Sequence, residues 1–167
     1  AFLADPLSGF KTYKDSTFAM MREAAKRGHA IYAFEQRDMV LDNGVVSAEI
    51  AQITLTGDPD DWYRAGPGAS MRLSDFDAII MRKDPPFDME YVYATYLLEM
   101  AEAQGARVFN KPSAIRDHNE KLSIAQFSQF TTPTLVSSDE TRLRVFHATH
   151  GDVIFKPLDG MGGAGIF

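Results

Sequence analysis

The fold is decided by the stretch FLADPLSGFKTYKDSTFAMMREAAKRGHAIYAFE, which covers residues 2–35. Residues 2–4 predict the end of a short buried strand, and proline and glycine in the next five residues break the chain after it. Either residue of the pair Asp15-Ser16 can cap a helix that runs to about Arg27, because apolar residues recur at helical spacing up to there. Residues 29–35 predict a second strand. The order strand, helix, strand predicts a right-handed crossover between two parallel strands.

The pattern continues outward to about residue 112. The turn Asp42-Asn43-Gly44 between two apolar runs predicts a hairpin. Residues 57–70, rich in glycine, proline and aspartate, predict an exposed loop around Trp62 and Tyr63. A strand at 76–81, a helix from Asp88 to about Gln104 and a strand at 107–110 complete the series. This order predicts an α/β fold with an open, mostly parallel sheet and helices on both faces. Ligands of such folds lie at the carboxyl ends of the strands, where the loops 5–16, 82–88 and from 110 onward begin.

The pattern changes after residue 112. Short helical pieces are predicted at 113–130, a strand at 134–136, a helix at 139–150 and a strand at 152–156. We interpret residues 1–112 as an N-terminal substrate domain. We interpret residues 113–167 as the first part of a smaller α+β subdomain, truncated at a glycine-rich loop.

Composition excludes several classes of protein. The chain has 167 residues, a formal net charge of −6 and no cysteine. The acidic balance argues against nucleic-acid and anionic-membrane partners, and the missing cysteines exclude disulfides and thiolate metal sites. The sequence has no apolar run of about 20 residues that could cross a membrane, and its start has no basic segment typical of a signal peptide. We therefore expect a cytoplasmic protein.

The glycine-rich loop carries the strongest chemical signal. Its glycines match G-x-G-x-x-G, but no amphipathic helix follows them, and Lys156 precedes them, whereas the lysine of a P-loop follows its glycines. A strand, a lysine, a glycine loop and a returning strand instead predict a hairpin lid whose backbone N–H groups can surround phosphate. The alternative is a flexible surface hairpin. The residues predicted to bind the nucleotide here are Lys156, Gly160, Met161, Gly162, Gly163, Ala164 and Gly165.

Three other cations are candidates for ligand binding. Lys121 could meet a nucleotide phosphate from the side opposite Lys156. Arg82 follows a predicted strand and could grip a substrate carboxylate with two parallel hydrogen bonds. Lys14 lies just before a predicted helix start, where anions bind favourably. The alternative for each is a solvated surface charge. No histidine spacing suggests a metal site, and no Ser/His/Asp arrangement suggests a catalytic group.

With these segments identified, the chain resembles the bacterial glutathione synthetase family of ATP-grasp ligases. The segments Met81-Arg-Lys-Asp-Pro-Pro-Phe-Asp88 and Lys156-Pro-Leu-Asp-Gly-Met-Gly-Gly163 are specific to that family. Further matching segments occur in family order at 14–20, 93–96, 109–112 and 116–122, and the last segment continues to Phe167. The resemblance implies a Rossmann-like pre-ATP-grasp domain followed by the start of an ATP-grasp subdomain.

The resemblance also implies a reaction. ATP would phosphorylate the cysteinyl carboxylate of γ-glutamylcysteine, and the amine of glycine would attack the acyl phosphate to give glutathione, ADP and phosphate. Lys121 and Lys156 would bind ATP phosphates, the glycine loop would form a lid, and Arg82 and Lys14 would hold the peptide substrate. Mg²⁺, with Mn²⁺ as an alternative, would accompany ATP. The full-length protein would be a homo-oligomer.

Members of the family are nearly twice as long as this chain. We therefore expect the adenine pocket and the magnesium ligands to lie beyond Phe167, and the chain alone to be inactive. Two other readings stay open. The first is another ATP-grasp carboxylate–amine ligase with a different substrate, and the second is a non-catalytic α/β binding or subunit-interaction module.

Overall fold

The computed structural model describes residues 1–163 and 165–167. Seven strands form one sheet. They are β1 (Phe2–Ala4), β2 (Ile31–Phe34), β3 (Met39–Asp42), β4 (Val45–Leu55), β5 (Tyr63–Arg72), β6 (Ile79–Arg82) and β7 (Val108–Phe109). The helices are α1 (Ser16–Lys26), α2 (Met89–Ala103), α3 (Pro112–Asp117) and α4 (Glu140–His150). Short 3-10 segments cover Leu7–Gly9, Gln36–Asp38, Leu73–Asp75 and Ser123–Phe130.

The sheet has a parallel centre and an antiparallel extension. Strand β1 lies between β2 and β6 and is parallel to both, and β7 is parallel to β6. The long strand β4 is antiparallel to β2, β3 and β5. The predicted open α/β sheet, its parallel crossover and its hairpin are therefore confirmed.

Helices cover both faces of the sheet, as the sequence predicts. Side chains alternate between faces along a strand, so neighbours in β1 enter different apolar clusters. Phe2 packs with Met21 of α1, whereas Leu3 packs with Leu98 of α2. Both helix starts are capped: the Asp15 carboxylate accepts a hydrogen bond from the N–H of Phe18 at 2.8 Å, and the Asp88 carboxylate accepts one from the N–H of Tyr91 at 2.9 Å.

The prediction of an exposed loop over residues 57–70 is confirmed for residues 57–61, which are exposed and lie in no strand or helix, but it is wrong from Tyr63 onward. The chain enters β5 at Tyr63 and pairs with β4 along its length, and the side chain of Trp62 is only 5% exposed. The Trp62 ring stacks on Phe10, with ring centroids 5.8 Å apart. Two residues of β5, Gly66 and Pro67, lie opposite the single residue Gln52 of β4, which makes a bulge. Glycine and proline therefore mark an irregularity within a strand, not a loop.

Two predicted strands in the last third of the chain are also wrong. Residues 134–136 pair with no strand in the part of the chain that the structure describes. Residues 152–156 form no strand either, although the N–H of Phe155 donates to the carbonyl of Phe167 at 2.8 Å and the N–H of Phe167 donates back at 3.1 Å. The predicted helix at 139–150 is confirmed as α4, with the Asp139 carboxylate capping its start.

Burial differs sharply between the two parts of the chain. The apolar clusters on the sheet are drawn from residues 1–115, whereas none of the described residues from 118 to 167 is buried. Among the residues that the structure describes, no helix is both long and apolar enough to cross a membrane.

Candidate functional site

A cleft of about 540 Å³ lies between the glycine-rich loop and the loop that follows β6. It brings together most of the residues predicted to bind a nucleotide, namely Lys121, Lys156, Gly160, Met161, Gly162 and Gly163. Asp84, Pro85, Glu120, Pro157 and Ile166 complete its lining. Gly165 follows in the same loop without lining the cleft, and Ala164 lies outside the described residues.

The two lysines reach this cleft in different ways. The Lys121 side chain is 18% exposed, and its ammonium donates to the carbonyl of Gly160 and to the Glu120 carboxylate, the latter at 2.9 Å. Lys156 is exposed and lies at the start of the glycine-rich loop. Lys121 is thus fixed across the base of the loop, while Lys156 presents its ammonium at the loop's own entrance.

Backbone shape accounts for the glycines in the loop. Gly162 and Gly163 have φ angles of +65° and +85°, and no atom lies within 4 Å of where a Cβ would stand on either residue. Their requirement for glycine therefore comes from the left-handed backbone and not from crowding. Gly165 has a φ of +68°, and a Cβ there would also lie 3.2 Å from the Pro157 ring.

Hydrogen bonds from two other segments hold the base of the loop. The N–H of Phe87 donates to the carbonyl of Asp159 at 2.9 Å, and the side-chain amide of Asn119 donates to the carbonyl of Leu158 at 3.1 Å. The Asn119 oxygen accepts from the N–H groups of Lys121 and Leu122, at 2.9 and 3.1 Å. Sequence reasoning did not select Asn119 as a site residue. The available signal was an asparagine at the start of a turn, where its side chain commonly bonds the backbone two residues on.

A second cleft, of about 460 Å³, adjoins the first and shares Lys121 and Gly160 with it. Its lining includes the aromatic rings of Phe87 and Tyr91. Burial raises the pKa of the Tyr91 hydroxyl, and the nearby charge of Asp84 raises it further. The ring therefore stays neutral and supplies an apolar surface with a hydroxyl group.

The cations predicted to hold a substrate lie elsewhere. The Arg82 guanidinium donates to the Thr17 hydroxyl at 3.0 Å and to the Ser16 hydroxyl at 2.8 Å, at the start of α1. Lys14 is exposed two residues before that start, and neither cation lines a cleft described above. Lys83, the neighbour of Arg82, forms an ion pair with Asp5 at 2.7 Å. Arg82 and Lys14 are therefore not among the residues that line the two clefts.

Carboxylates modulate the charge of the cleft. Asp84 and Glu120 line it together with the two lysines. Burial raises the pKa of the Asp84 carboxyl, and the neighbouring Asp5 carboxylate raises it further, against the opposing effect of Arg82. Within residues 1–163 and 165–167, no three histidine, aspartate or glutamate side chains cluster as a metal site. The donor set suits a polyphosphate: two ammonium groups, a glycine-rich loop, and carboxylate oxygens of the kind that hard cations prefer.

Comparison with known proteins places this chain in a family. The model of the prokaryotic glutathione synthetase N-terminal domain matches residues 1–116, and the model of the prokaryotic glutathione synthetase ATP-grasp domain matches residues 120–167. The chain belongs to the prokaryotic glutathione synthetase family. The resemblance inferred from the sequence motifs is therefore confirmed.

Curated members of the glutathione synthetase family match this chain along nearly its whole length. It is 66% identical to the glutathione synthetase of Ralstonia nicotianae over 166 residues, which are 99% of this chain and 51% of that protein. It is 54% identical to that of Nitrosomonas europaea, with 100% of this chain and 53% of that protein covered. Identity to the glutathione synthetase of Neisseria meningitidis serogroup A is 52%, with 99% and 54% covered. The chain spans about half the length of these relatives.

The solved structures that match are less similar to this chain in sequence. A structure of the ATP-grasp ligase PsnB, complexed with minimal precursor, is 20% identical in sequence and has a TM-score of 0.48. The match covers 96% of this chain and 54% of that protein.

Proposed function

We propose that this chain is part of a glutathione synthetase, which ligates γ-glutamylcysteine and glycine at the expense of ATP to give glutathione, ADP and phosphate. The observation that carries the proposal is the convergence of Lys121, Lys156 and the glycine-rich loop on one cleft. Family membership supports the substrates. The cleft supports the nucleotide, because it gathers two lysines and a glycine-rich loop, the kind of backbone that can surround a polyphosphate.

In this proposal the chain's own residues bind and orient. Lys121 and Lys156 hold phosphate oxygens from two sides, and the N–H groups around Gly162 and Gly163 contact the same phosphates. ATP supplies the phosphoryl group that activates the cysteinyl carboxylate as an acyl phosphate. Mg²⁺, with Mn²⁺ as an alternative, balances the phosphate charge. The contribution of the described residues is positioning and electrostatic stabilisation, which dominate phosphoryl transfer.

We propose that Arg82 and Lys14 hold the peptide substrate. Arg82 uses two of its five N–H donors on the hydroxyls of Ser16 and Thr17. These bonds fix the guanidinium plane at the edge of the sheet, and its remaining donors stay available for a carboxylate. Lys14 adds a second positive charge just before the same helix start.

Calorimetric titration of the chain with Mg-ATP tests the nucleotide site. Lys156→Ala and Lys121→Ala are each expected to weaken binding by about 10- to 100-fold, because a hydrogen bond to a charged group contributes about 1.5–3 kcal/mol. Lys26→Ala is the matched control, since Lys26 lies in the last turn of α1 and does not line the cleft. Equal weakening by the control, or lysine variants that bind as tightly as the unmodified chain, would contradict the nucleotide site.

We further propose that the whole protein works in the cytoplasm as a homo-oligomer. Exposed apolar residues at helical spacing on α2 support association, namely Met89, Tyr93, Tyr96 and Met100. Lack of cysteine fits a reducing compartment. Sedimentation of the whole protein is expected to give more than one protomer, and Tyr93→Glu is expected to shift it towards monomer. A monomer at every concentration measured would contradict the homo-oligomer.

A further inference from the structure

One amide side chain connects the two segments that form the candidate nucleotide cleft. Asn119 lies before Lys121 in sequence, whereas its partner Leu158 lies 39 residues further along and opens the glycine-rich loop. The Asn119 nitrogen donates to the Leu158 carbonyl at 3.1 Å. Its oxygen accepts the N–H groups of Lys121 and Leu122 at 2.9 and 3.1 Å.

The chemistry of an amide makes this a directional link. The carbonyl oxygen has two lone pairs, and here each meets one backbone N–H of the turn that carries Lys121. The NH₂ group can only donate, and it is aimed at a carbonyl of the other segment. One half of the side chain therefore shapes the Lys121 turn, and the other half fixes the distance from that turn to the loop.

We propose that Asn119 is a positioning residue that holds the glycine-rich loop in register with Lys121 and thereby sets the width of the phosphate site. The inference rests on the proposed function, because the site it positions is the proposed nucleotide site. Lys121 itself donates to Gly160, and Phe87 donates to Asp159. These neighbouring bonds keep the loop attached without Asn119, so its loss is expected to loosen the register of the loop and not to unfold the chain.

Two substitutions separate the halves of the side chain. Asn119→Asp keeps an oxygen acceptor for the N–H groups of Lys121 and Leu122 but replaces the donor to Leu158 with a second acceptor. Asn119→Ala removes both functions. His118→Ala is the matched control, because the exposed His118 ring contacts only the carbonyl of Ala114, at 3.0 Å, among the hydrogen bonds of the described residues.

Amide hydrogen exchange measures the effect of each half of the Asn119 side chain separately. The N–H groups of Phe155 and Phe167 close the loop, and those of Lys121 and Leu122 report the turn. Asn119→Asp is expected to speed exchange about fivefold at the loop amides and to leave the turn amides unchanged, since one hydrogen bond contributes about 1 kcal/mol. Asn119→Ala is expected to speed both sets, and His118→Ala neither. Loop amides that exchange at the parent rate in both Asn119 variants would overturn the proposal.

Titration with Mg-ATP then tests whether this link matters for the ligand. Both Asn119 variants are expected to bind about fivefold more weakly than the unmodified chain, with an unchanged thermal midpoint. Faster loop exchange with unchanged affinity would overturn the positioning role. If Lys121→Ala and Lys156→Ala leave Mg-ATP binding unchanged, the proposed nucleotide site fails, and the exchange rates alone decide whether Asn119 fixes the loop.

Discussion

Asp5 and Asp84 are neighbouring aspartates at the carboxyl edge of the sheet, and they differ in how far their negative charge is compensated. Asp5 pairs with Lys83 at 2.7 Å and accepts the N–H of Asp84 at 2.8 Å, so its negative charge is compensated. The Asp84 carboxyl has no such partner among the described hydrogen bonds, and burial together with Asp5 raises its pKa. Ionised Asp84 therefore lowers the stability of the folded chain.

Replacing Asp84 by asparagine is expected to raise the thermal midpoint at pH 7. The unfolded carboxyl ionises near its ordinary pKa of 3.8, while the folded one keeps its proton to higher pH. The folded state then binds more protons, so the stability from this group is present at low pH and is lost as pH rises through the folded pKa. Between pH 3 and 8, the midpoints of Asp84→Asn should coincide with those of the parent at the acid end and lie increasingly above them as the pH rises past 3.8.

Asp152→Asn is the control for this change, because Asp152 is an exposed aspartate outside both clefts. It is expected to leave the midpoint unchanged at every pH. A lower midpoint for Asp84→Asn than for the parent at pH 7 would show that the charge of Asp84 stabilises the fold.

Residue chemistry allowed part of the site to be predicted. Lys156 could be chosen because a cation beside glycines is a local pattern, and Lys121 because the segment 116–122 resembles the family. Asn119 could not, because its role depends on Leu158 being near in space. For a similar reason the sequence could not show that Arg82 bonds Ser16 and Thr17, which the parallel arrangement of β1 and β6 brings beside it.

At the scale of elements, the sequence led to one missed strand and to two predicted strands that do not form. Both kinds of error have one cause. Residues 63–70 contain breakers yet form a strand, because eleven-residue β4 offers a long edge to pair with. Residues 134–136 and 152–156 have strand-forming side chains yet form none, because no strand lies beside them in the described part of the chain. Helices and hairpin turns were predictable since their hydrogen bonds are local, whereas a strand is defined by a partner distant in sequence.

Trp62 links β5 to helix α1, so its truncation is expected to be severe. The ring contacts Phe10 and meets Phe18 edge-on, with the centroids of Trp62 and Phe18 5.1 Å apart. Trp62→Ala should lower the free energy of unfolding by about 3–5 kcal/mol, the usual cost for a buried tryptophan. Urea denaturation measures this change. Tyr13→Ala is the control, because the Tyr13 side chain is 81% exposed; equal losses in both variants would contradict the structural role of Trp62.

The whole molecule combines a well-packed part and an unburied part. Residues up to 115 supply the apolar clusters, while many apolar side chains after residue 118 are exposed, among them Phe127, Phe130 and Phe167. Arg116 fixes α3 to α2 by donating to Thr95 and Glu99 and by lying over the ring of Tyr96. The first part therefore carries nearly all of the burial that stabilises the chain.

A chain shortened to residues 1–117 is expected to fold by itself. It keeps both apolar clusters, all seven strands and the Arg116 contacts, so its urea unfolding should stay cooperative with a midpoint close to that of residues 1–167. Limited proteolysis of the longer chain should cut first after residue 118. Non-cooperative unfolding of residues 1–117 would contradict the independence of the first part.

The bulge in β5 has a consequence for how copies of this chain meet in solution. Strand β5 pairs with β4 on one side, and no strand of the described chain pairs with its other side, which leaves a long row of backbone groups open. Pro67 stands in the middle of that row without an N–H to offer, and the bulge bends the strand there. If a strand of another chain paired with this edge, the ladder of backbone hydrogen bonds would be interrupted after a few residues. The glycines and proline that led to the prediction of a loop here therefore also protect the sheet against edge-to-edge aggregation.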